Sequence, residues 1–129
     1  MYVFGVVLET SFEQAVERVT AALQAEKLGI VSDVDVAAIM RAKLGEEIGN
    51  YRILGACAPG LAKRVLVEQP AAGVLLPCNI VLRRIDDTTT AVDFMNPVTM
   101  LALADTPEIL KVGEDAKAML ERVRDRLAN

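Results

Sequence analysis

The hydrophobic pattern predicts a strand followed by a helix at the start of the chain. Residues 2–8 are apolar at both alternating positions, which is typical of a central strand covered on both faces. The segment from Thr10 to Glu13 has the form of a capping box, with Thr10 as the N-cap. Apolar residues then recur at helical spacing from Phe12 to Leu23, and Gly29 provides a stop signal.

Turn and cap signals divide the rest of the chain into short elements. Asp35, Pro59 and Asn96 each stand where a helix is expected to begin, and Gly45 and Pro70 stand where one ends. The predicted elements are, in order, a strand over 30–34, a helix over 36–44, a strand over 51–58, a helix over 60–69, a strand over 73–85, a strand over 90–95 and a helical turn over 97–103. A last helix starts at 107. Its predicted inward-facing residues are Leu110, Ala116, Leu120, Val123 and Leu127.

The order of these elements predicts one α+β domain over residues 1–129. We expect a two-layer β-α-β(4)-α fold, with helices on one face of a mostly antiparallel sheet. The other face of such a sheet should be polar, yet the first strand is apolar on both sides. Pairing of two copies over this face resolves the conflict, so we predict a homodimer.

Composition and charge exclude several classes of function. The chain has 14 Lys and Arg against 18 Asp and Glu, a net charge of −4, and too few aromatic residues for base stacking, so we expect no nucleic-acid partner. No apolar run approaches the roughly 18 residues that span a bilayer, so we expect no membrane partner. The sequence contains no His, which excludes a Ser-His-Asp triad and histidine zinc sites within one chain. We expect a cytoplasmic protein, in which the two cysteines are thiols.

Both cysteines stand beside a predicted irregularity. Cys57 lies just ahead of the helix that Pro59 begins, where free amides and the helix dipole favour a thiolate. Cys78 follows Pro77, which cannot donate to a sheet ladder, so we expect Cys78 at a bulge or a sheet edge. Alternation places Cys78 on the same face as core residues such as Ile80.

These positions support two interpretations. In one, Cys57 attacks and Cys78 resolves in a thiol reaction, or the two share a soft metal across a dimer. In the other, both thiols are buried and pack as small hydrophobic groups, as free cysteines commonly do. Burial is the favoured interpretation, because the chain has no CxxC motif and two cysteines without His cannot complete a zinc site. We expect no cofactor.

The sequence resembles the bacterial and archaeal domain-of-unknown-function family 302. The resemblance rests on Lys43-Leu44-Gly45, on Leu54-Gly55-Ala56-Cys57-Ala58-Pro59, and on Leu75-Leu76-Pro77-Cys78-Asn79. It implies the β-α-β(4)-α fold and no established activity, and it suggests a thermophilic source. It also implies a domain that usually stands alone and sometimes occurs in tandem, which suits pairing of two copies. The family often has Asn at the position of Ala58, so a polar helix cap is missing here.

The resemblance also selects the candidate site. The positions carried over are Cys57, Pro59, Pro77, Cys78 and Asn79, with Lys43 and Tyr51 as weaker neighbours. Lys43 suits an anionic ligand or a stem that lies along apolar surface, and Asn79 suits ligand contact or a bulge. Two classes of function follow: a homodimeric module that binds an unidentified small molecule or partner, which we favour, and a thiol-dependent redox or metal-handling protein.

Overall fold

The computed structural model describes residues 1–128, and its framework is a five-stranded antiparallel sheet. The order of the strands across the sheet is β1-β5-β4-β3-β2. The strands are β1 (Val3–Leu8), β2 (Gly29–Asp35), β3 (Tyr51–Cys57), β4 (Cys78–Asp86) and β5 (Thr89–Met95). The helices are α1 (Phe12–Ala25), α2 (Val36–Leu44), α3 (Pro59–Glu68), α4 (Pro97–Leu101) and α5 (Pro107–Ala128), with short 3₁₀ segments at Pro70–Leu75 and Ala102–Ala104.

Two layers pack as the hydrophobic pattern predicts, which confirms the α+β fold. Helices α1 and α5 cover one face of the sheet, and their contacts with it form the main core. Its central residues are Val19 and Leu23 of α1, Ile80 and Phe94 of the sheet, and Val123 of α5, each almost completely buried. A second, smaller core lies where α3 and α4 meet α5, around Val65, Leu101 and Val112.

Several helix ends follow the predicted chemistry. The Asp35 carboxylate accepts a hydrogen bond from the Ala38 amide at 2.9 Å, and Gly45 ends α2 in the left-handed conformation with φ of 66°. Pro59 is the first residue of α3. The Asn96 side chain accepts from the Val98 amide at 3.0 Å and so begins α4.

The N-cap of α1 is Ser11, and the prediction of Thr10 was wrong. The Ser11 hydroxyl accepts a hydrogen bond from the Gln14 amide at 3.2 Å. The Thr10 hydroxyl donates to the Gln14 side chain at 2.6 Å, so it supports the cap from outside the helix. Ser11 and Gln14 have the same spacing as Thr10 and Glu13, so the pattern alone predicts a cap one residue too early.

Three predictions about strands and faces were also wrong. β1 is an edge strand, and its Val7 is 58% exposed. The predicted strand over 73–85 begins only at Cys78, because 3₁₀ geometry continues to Leu75. On α5, Leu110 is 38% exposed, and Ile109, one residue earlier, is the buried side chain.

The face of the sheet away from α1 and α5 is open. Its central row runs across all five strands, through Gly5, Asp93, Val81, Ile53 and Val34. Next to it lies a second row of Val7, Ala91, Arg83 and Tyr51. We call these two rows the open face.

Within residues 1–128, no helix is long and apolar enough to cross a membrane.

Candidate apolar site

An apolar cavity lies at the end of the sheet where β3 gives way to α3 and where β4 begins. The enclosed volume of the cavity is about 40 Å³, and its open mouth extends the concave space to about 430 Å³. Every residue that lines it is apolar or carries a thiol: Leu28, Ala56, Cys57, Ala58, Leu61, Ala62, Val65, Leu76, Pro77, Cys78, Leu101, Val112, Ala116 and Leu120. No charged group is therefore available inside the cavity to bind an ionic ligand.

Strand pairing brings the two cysteine segments together. Ala56 of β3 is the direct partner of Cys78 of β4, so Cys57 and Cys78 come to the same end of the sheet although 21 positions separate them in the sequence. The Leu76–Pro77 peptide bond is cis. Cys78 is the first residue of a central strand, so the prediction of a bulge or a sheet edge at Cys78 was wrong.

The helices complete the cavity. Leu61, Ala62 and Val65 recur at helical spacing on α3, and Val112, Ala116 and Leu120 do so on α5. Small alanines occupy one position in each of these two stripes, and they leave room where larger side chains would fill the gap between the helices. The cavity thus lies along the boundary between the main core and the second core.

Burial makes Cys78 a poor nucleophile. Desolvation is the larger cause and the nearby Cys57 the smaller one, and together they raise the pKa of its thiol to about 11. Both cysteines are free thiols and partly buried. Since the thiolate is the reactive form, Cys78 is almost entirely in the unreactive thiol form at neutral pH.

The start of α3 lacks a side-chain cap. Ala58 occupies the N-cap position, and its methyl group accepts no hydrogen bond; Pro59 follows at the first helical position. The Ala58 carbonyl accepts from the amides of Leu61 and Ala62, both at 3.0 Å. A polar cap is therefore absent beside Cys57, as the sequence implies.

The other candidate residues lie apart from the cavity. Pro59 is exposed at the start of α3, and Asn79 is exposed opposite Gly55 on the other side of the sheet. Tyr51 borders a separate polar cleft with Arg41 and Arg52, and Lys43 is exposed on α2. Of the predicted site residues, Cys57, Pro77 and Cys78 therefore line the apolar cavity together. Pro59, Asn79, Tyr51 and Lys43 lie outside it.

Sequence reasoning missed the helical half of the cavity. Ala62, Leu101, Val112 and Ala116 carry no polar group, so their types gave no signal of a site. The cavity is made by packing between elements distant in the chain, and only the small side chains at Ala62 and Ala116 hint at it. Residues 1–128 contain no group of three or more Cys, Asp or Glu side chains placed to hold a metal ion.

Comparison with known proteins identifies the family. The model of the family described as "Domain of unknown function DUF302" matches residues 4–127, and the chain belongs to this family, as the cysteine segments predicted. The chain is similar to a solved structure described as an uncharacterized conserved protein DUF302 from Bacillus stearothermophilus, with 25% identity, 98% of each chain covered and a TM-score of 0.88. None of the curated proteins matches the chain. The thermophilic source suggested by the resemblance stays a prediction.

Proposed function

We propose that this protein is a small homodimeric module that binds a small apolar molecule in the cavity between β3, β4, α3 and α5. The observation that supports this most directly is the lining, in which all 14 residues are apolar or carry a thiol. Binding sites for drug-sized molecules are concave and mostly apolar, with volumes of about 300–1,000 Å³. The enclosed part of this cavity, about 40 Å³, is much smaller, so it holds only a small apolar group while the rest of the ligand lies in the open mouth. The ligand is accordingly small and uncharged.

The driving force for binding is the removal of apolar surface from water. An apolar ligand in the cavity gains about 25 cal/mol for each Å² of its surface that is buried. The lining has few polar atoms, so an apolar ligand leaves almost no hydrogen-bonding group of the lining without a partner. A charged headgroup would have to remain at the mouth, because burying an unpaired ion costs far more than the apolar contacts return.

Filling the cavity tests this proposal. Ala116→Leu places a larger side chain into the cavity, whereas Ala118→Leu adds the same atoms to an exposed position on the same helix. The neutral fluorophore 1-aminoanthracene serves as the probe in a fluorescence titration. We expect the unmodified protein and Ala118→Leu to bind it alike and Ala116→Leu to bind at least about tenfold more weakly, a loss of about 1.4 kcal/mol. Equal binding by all three proteins would contradict the proposal.

A thiol-dependent function is the second candidate, and the observation that favours it is that Cys57 and Cys78 line the same cavity. In that case one of the thiols reacts with the bound molecule or with an oxidant. The raised pKa of Cys78 weighs against this thiol as the attacking group. A cytoplasmic location, which we also propose, keeps both thiols reduced and is compatible with either function.

A further inference from the structure

We infer that the open face of the sheet is the surface through which two copies of this chain pair. This inference deepens the homodimer of the proposed function by assigning its interface, and it is independent of what the cavity binds. The open face is the side of the sheet that α1 and α5 leave uncovered. Val7 on this face is 58% exposed and Val34 is 40% exposed, although both are aliphatic side chains on edge strands.

The side chains of the open face suit sheet-on-sheet packing. Val81, Ile53 and Val34 are consecutive members of the central row, on three neighbouring strands, and they make a flat stripe of β-branched side chains. Such side chains pack well between two sheets about 10 Å apart. In the two rows, aliphatic side chains occupy most of the positions where a solvated sheet face would carry polar ones. The polar residues Ser32 and Asn79 lie on the same side of the sheet, in the row beyond.

The charges of the open face are complementary to themselves. Among the residues of its two rows, the charged side chains are Arg83 and Asp93, which form an ion pair at 2.9 Å. Their side chains remain 48% and 30% exposed, so each can contact a further partner. When the two-fold axis lies in the plane of the interface and runs midway between these two side chains, the Arg83 guanidinium of each copy faces the Asp93 carboxylate of the other copy. The chain's excess of negative charge thus lies outside these two rows.

The size of the open face is near what a stable dimer needs. The whole side of the sheet that contains the open face has five strands about 4.8 Å apart and six to nine residues long, which gives a footprint of roughly 550 Å² before the relief of the side chains is counted. Stable complexes bury about 600–1,000 Å² on each partner. The sheet face and its margins therefore provide an area of the required order.

Pairing along the edge of β2 is a less suitable arrangement. Every residue of this strand is exposed, but a register shift between Ile30 and Ser32 disrupts it. In the regular part that follows, antiparallel pairing of two copies centred on Asp33 sets the two Asp33 carboxylates opposite each other, and pairing centred on Val34 sets Asp33 opposite Asp35. Like charges directly opposite are destabilising, and bulges and charges are common protections of sheet edges.

Paired lysine variants test the interface. Val7→Lys with Val34→Lys places two cations on the open face, whereas Val67→Lys with Val74→Lys places them at positions that are 73% and 88% exposed outside it. In sedimentation equilibrium from micromolar to near-millimolar concentration, we expect the unmodified protein and the Val67/Val74 control to be dimers. The Val7/Val34 variant should be a folded monomer, because its affinity for a second copy should fall by about 100-fold or more.

A charge exchange tests the same surface if a lysine variant fails to fold. Arg83→Glu and Asp93→Arg should each weaken dimerisation, and the double exchange should restore it. A monomeric unmodified protein would overturn the homodimer, and a dimer that persists in both the Val7/Val34 variant and Arg83→Glu would overturn the assigned face. Binding of 1-aminoanthracene by each variant is measured in parallel, so that loss of the cavity's function is distinguished from loss of the dimer.

Discussion

At the scale of single residues, Gly55 shows how closely the sheet is packed beside the cavity. A Cβ atom at this position would lie 2.2 Å from the Ser32 hydroxyl oxygen and 2.6 Å from Cγ of Pro77. The ring of Pro77 is rigid and cannot rotate away. Gly55 is therefore required by close approach, whereas Gly60 in the first turn of α3 has no atom within 4 Å of the same position.

These two glycines give a matched pair of substitutions. Gly55→Ala should destabilise the protein by about 1–3 kcal/mol, because the added methyl group forces Ser32 and Pro77 to move. Gly60→Ala should stabilise it by about 0.5–1 kcal/mol, because alanine loses less backbone entropy in a helix. Urea unfolding monitored by circular dichroism measures both changes. Similar effects of the two substitutions would show that the packing around Gly55 is looser than described.

The thiol of Cys78 should react slowly at neutral pH. With a pKa of about 11, roughly one Cys78 in a thousand is ionised at pH 8 in the unmodified protein, against about one in ten at the ordinary value of 9.0. Cys57→Ser leaves Cys78 as the only thiol and keeps burial, the larger cause of its raised pKa. Alkylation by iodoacetamide should therefore be about 100-fold slower than that of a small thiol of ordinary pKa. The rate should rise about tenfold for each pH unit until the pH approaches 11.

Rapid alkylation of Cys78 at neutral pH would contradict the burial of this thiol and would favour the thiol-dependent function. The same variant unfolded in urea is the control, since unfolding exposes the thiol and should restore an ordinary rate.

The residue scale also marks a limit of sequence reasoning. Asp35, Gly45 and Pro59 could be assigned to helix ends because each residue type satisfies a local requirement of the backbone. Thr10 and Ser11 could not be separated in this way, because both carry hydroxyl groups and both precede an acceptor at suitable spacing. The choice depends on how the chain leaves β1, which involves tertiary structure.

At the scale of elements, the carboxylate at the C-cap of α1 joins this helix to α5. Glu26, just after the end of α1, accepts hydrogen bonds from Nε of Arg122 and Nε of Arg126, both at 2.7 Å. These two hydrogen bonds lower the pKa of the Glu26 carboxyl below its ordinary value of 4.5. The ion pairs thus fix the two helices that cover the core face of the sheet.

Glu26→Gln should make the protein less stable at neutral pH and remove part of its acid sensitivity. Because the folded pKa is lowered, the stabilisation is complete above 4.5 and is lost as the pH falls through the folded value. The difference in unfolding free energy between the two proteins should therefore shrink toward acidic pH. Urea unfolding at neutral and acidic pH measures it, with Glu17→Gln, at an exposed position on the same helix, as the control. A difference that does not change with pH would contradict the role of the Glu26 charge.

Element order was harder to predict than element type. β1 has apolar residues on both faces, and this pattern is typical of a central strand, yet β1 lies at an edge with Val7 exposed. Periodicity reports how apolar the two sides of a strand are, and it does not report which strand lies beside it. The apolar run from Gly73 to Leu76 was misleading for a related reason, because Pro70 and Pro77 confine it to a short 3₁₀ segment and its end.

At the scale of the whole molecule, the fold class could be predicted because strands and helices alternate clearly along the chain. The cavity could be predicted only in part. Cys57, Pro77 and Cys78 were recognisable as unusual residues at strand ends, but the residues of α5 that complete the cavity lie more than 30 positions further along. Their role follows from the packing of α5 against α3, which no local pattern encodes.

Native mass spectrometry of freshly purified protein tests the central claim most directly, because it reports the ligand and the number of copies together. The account predicts a dimer that carries a small organic molecule, which is removed by organic solvent and is absent from Ala116→Leu but retained by Ala118→Leu. A species without bound molecule that also fails to take up added 1-aminoanthracene, or an adduct carried equally by both variants, would contradict binding in the cavity.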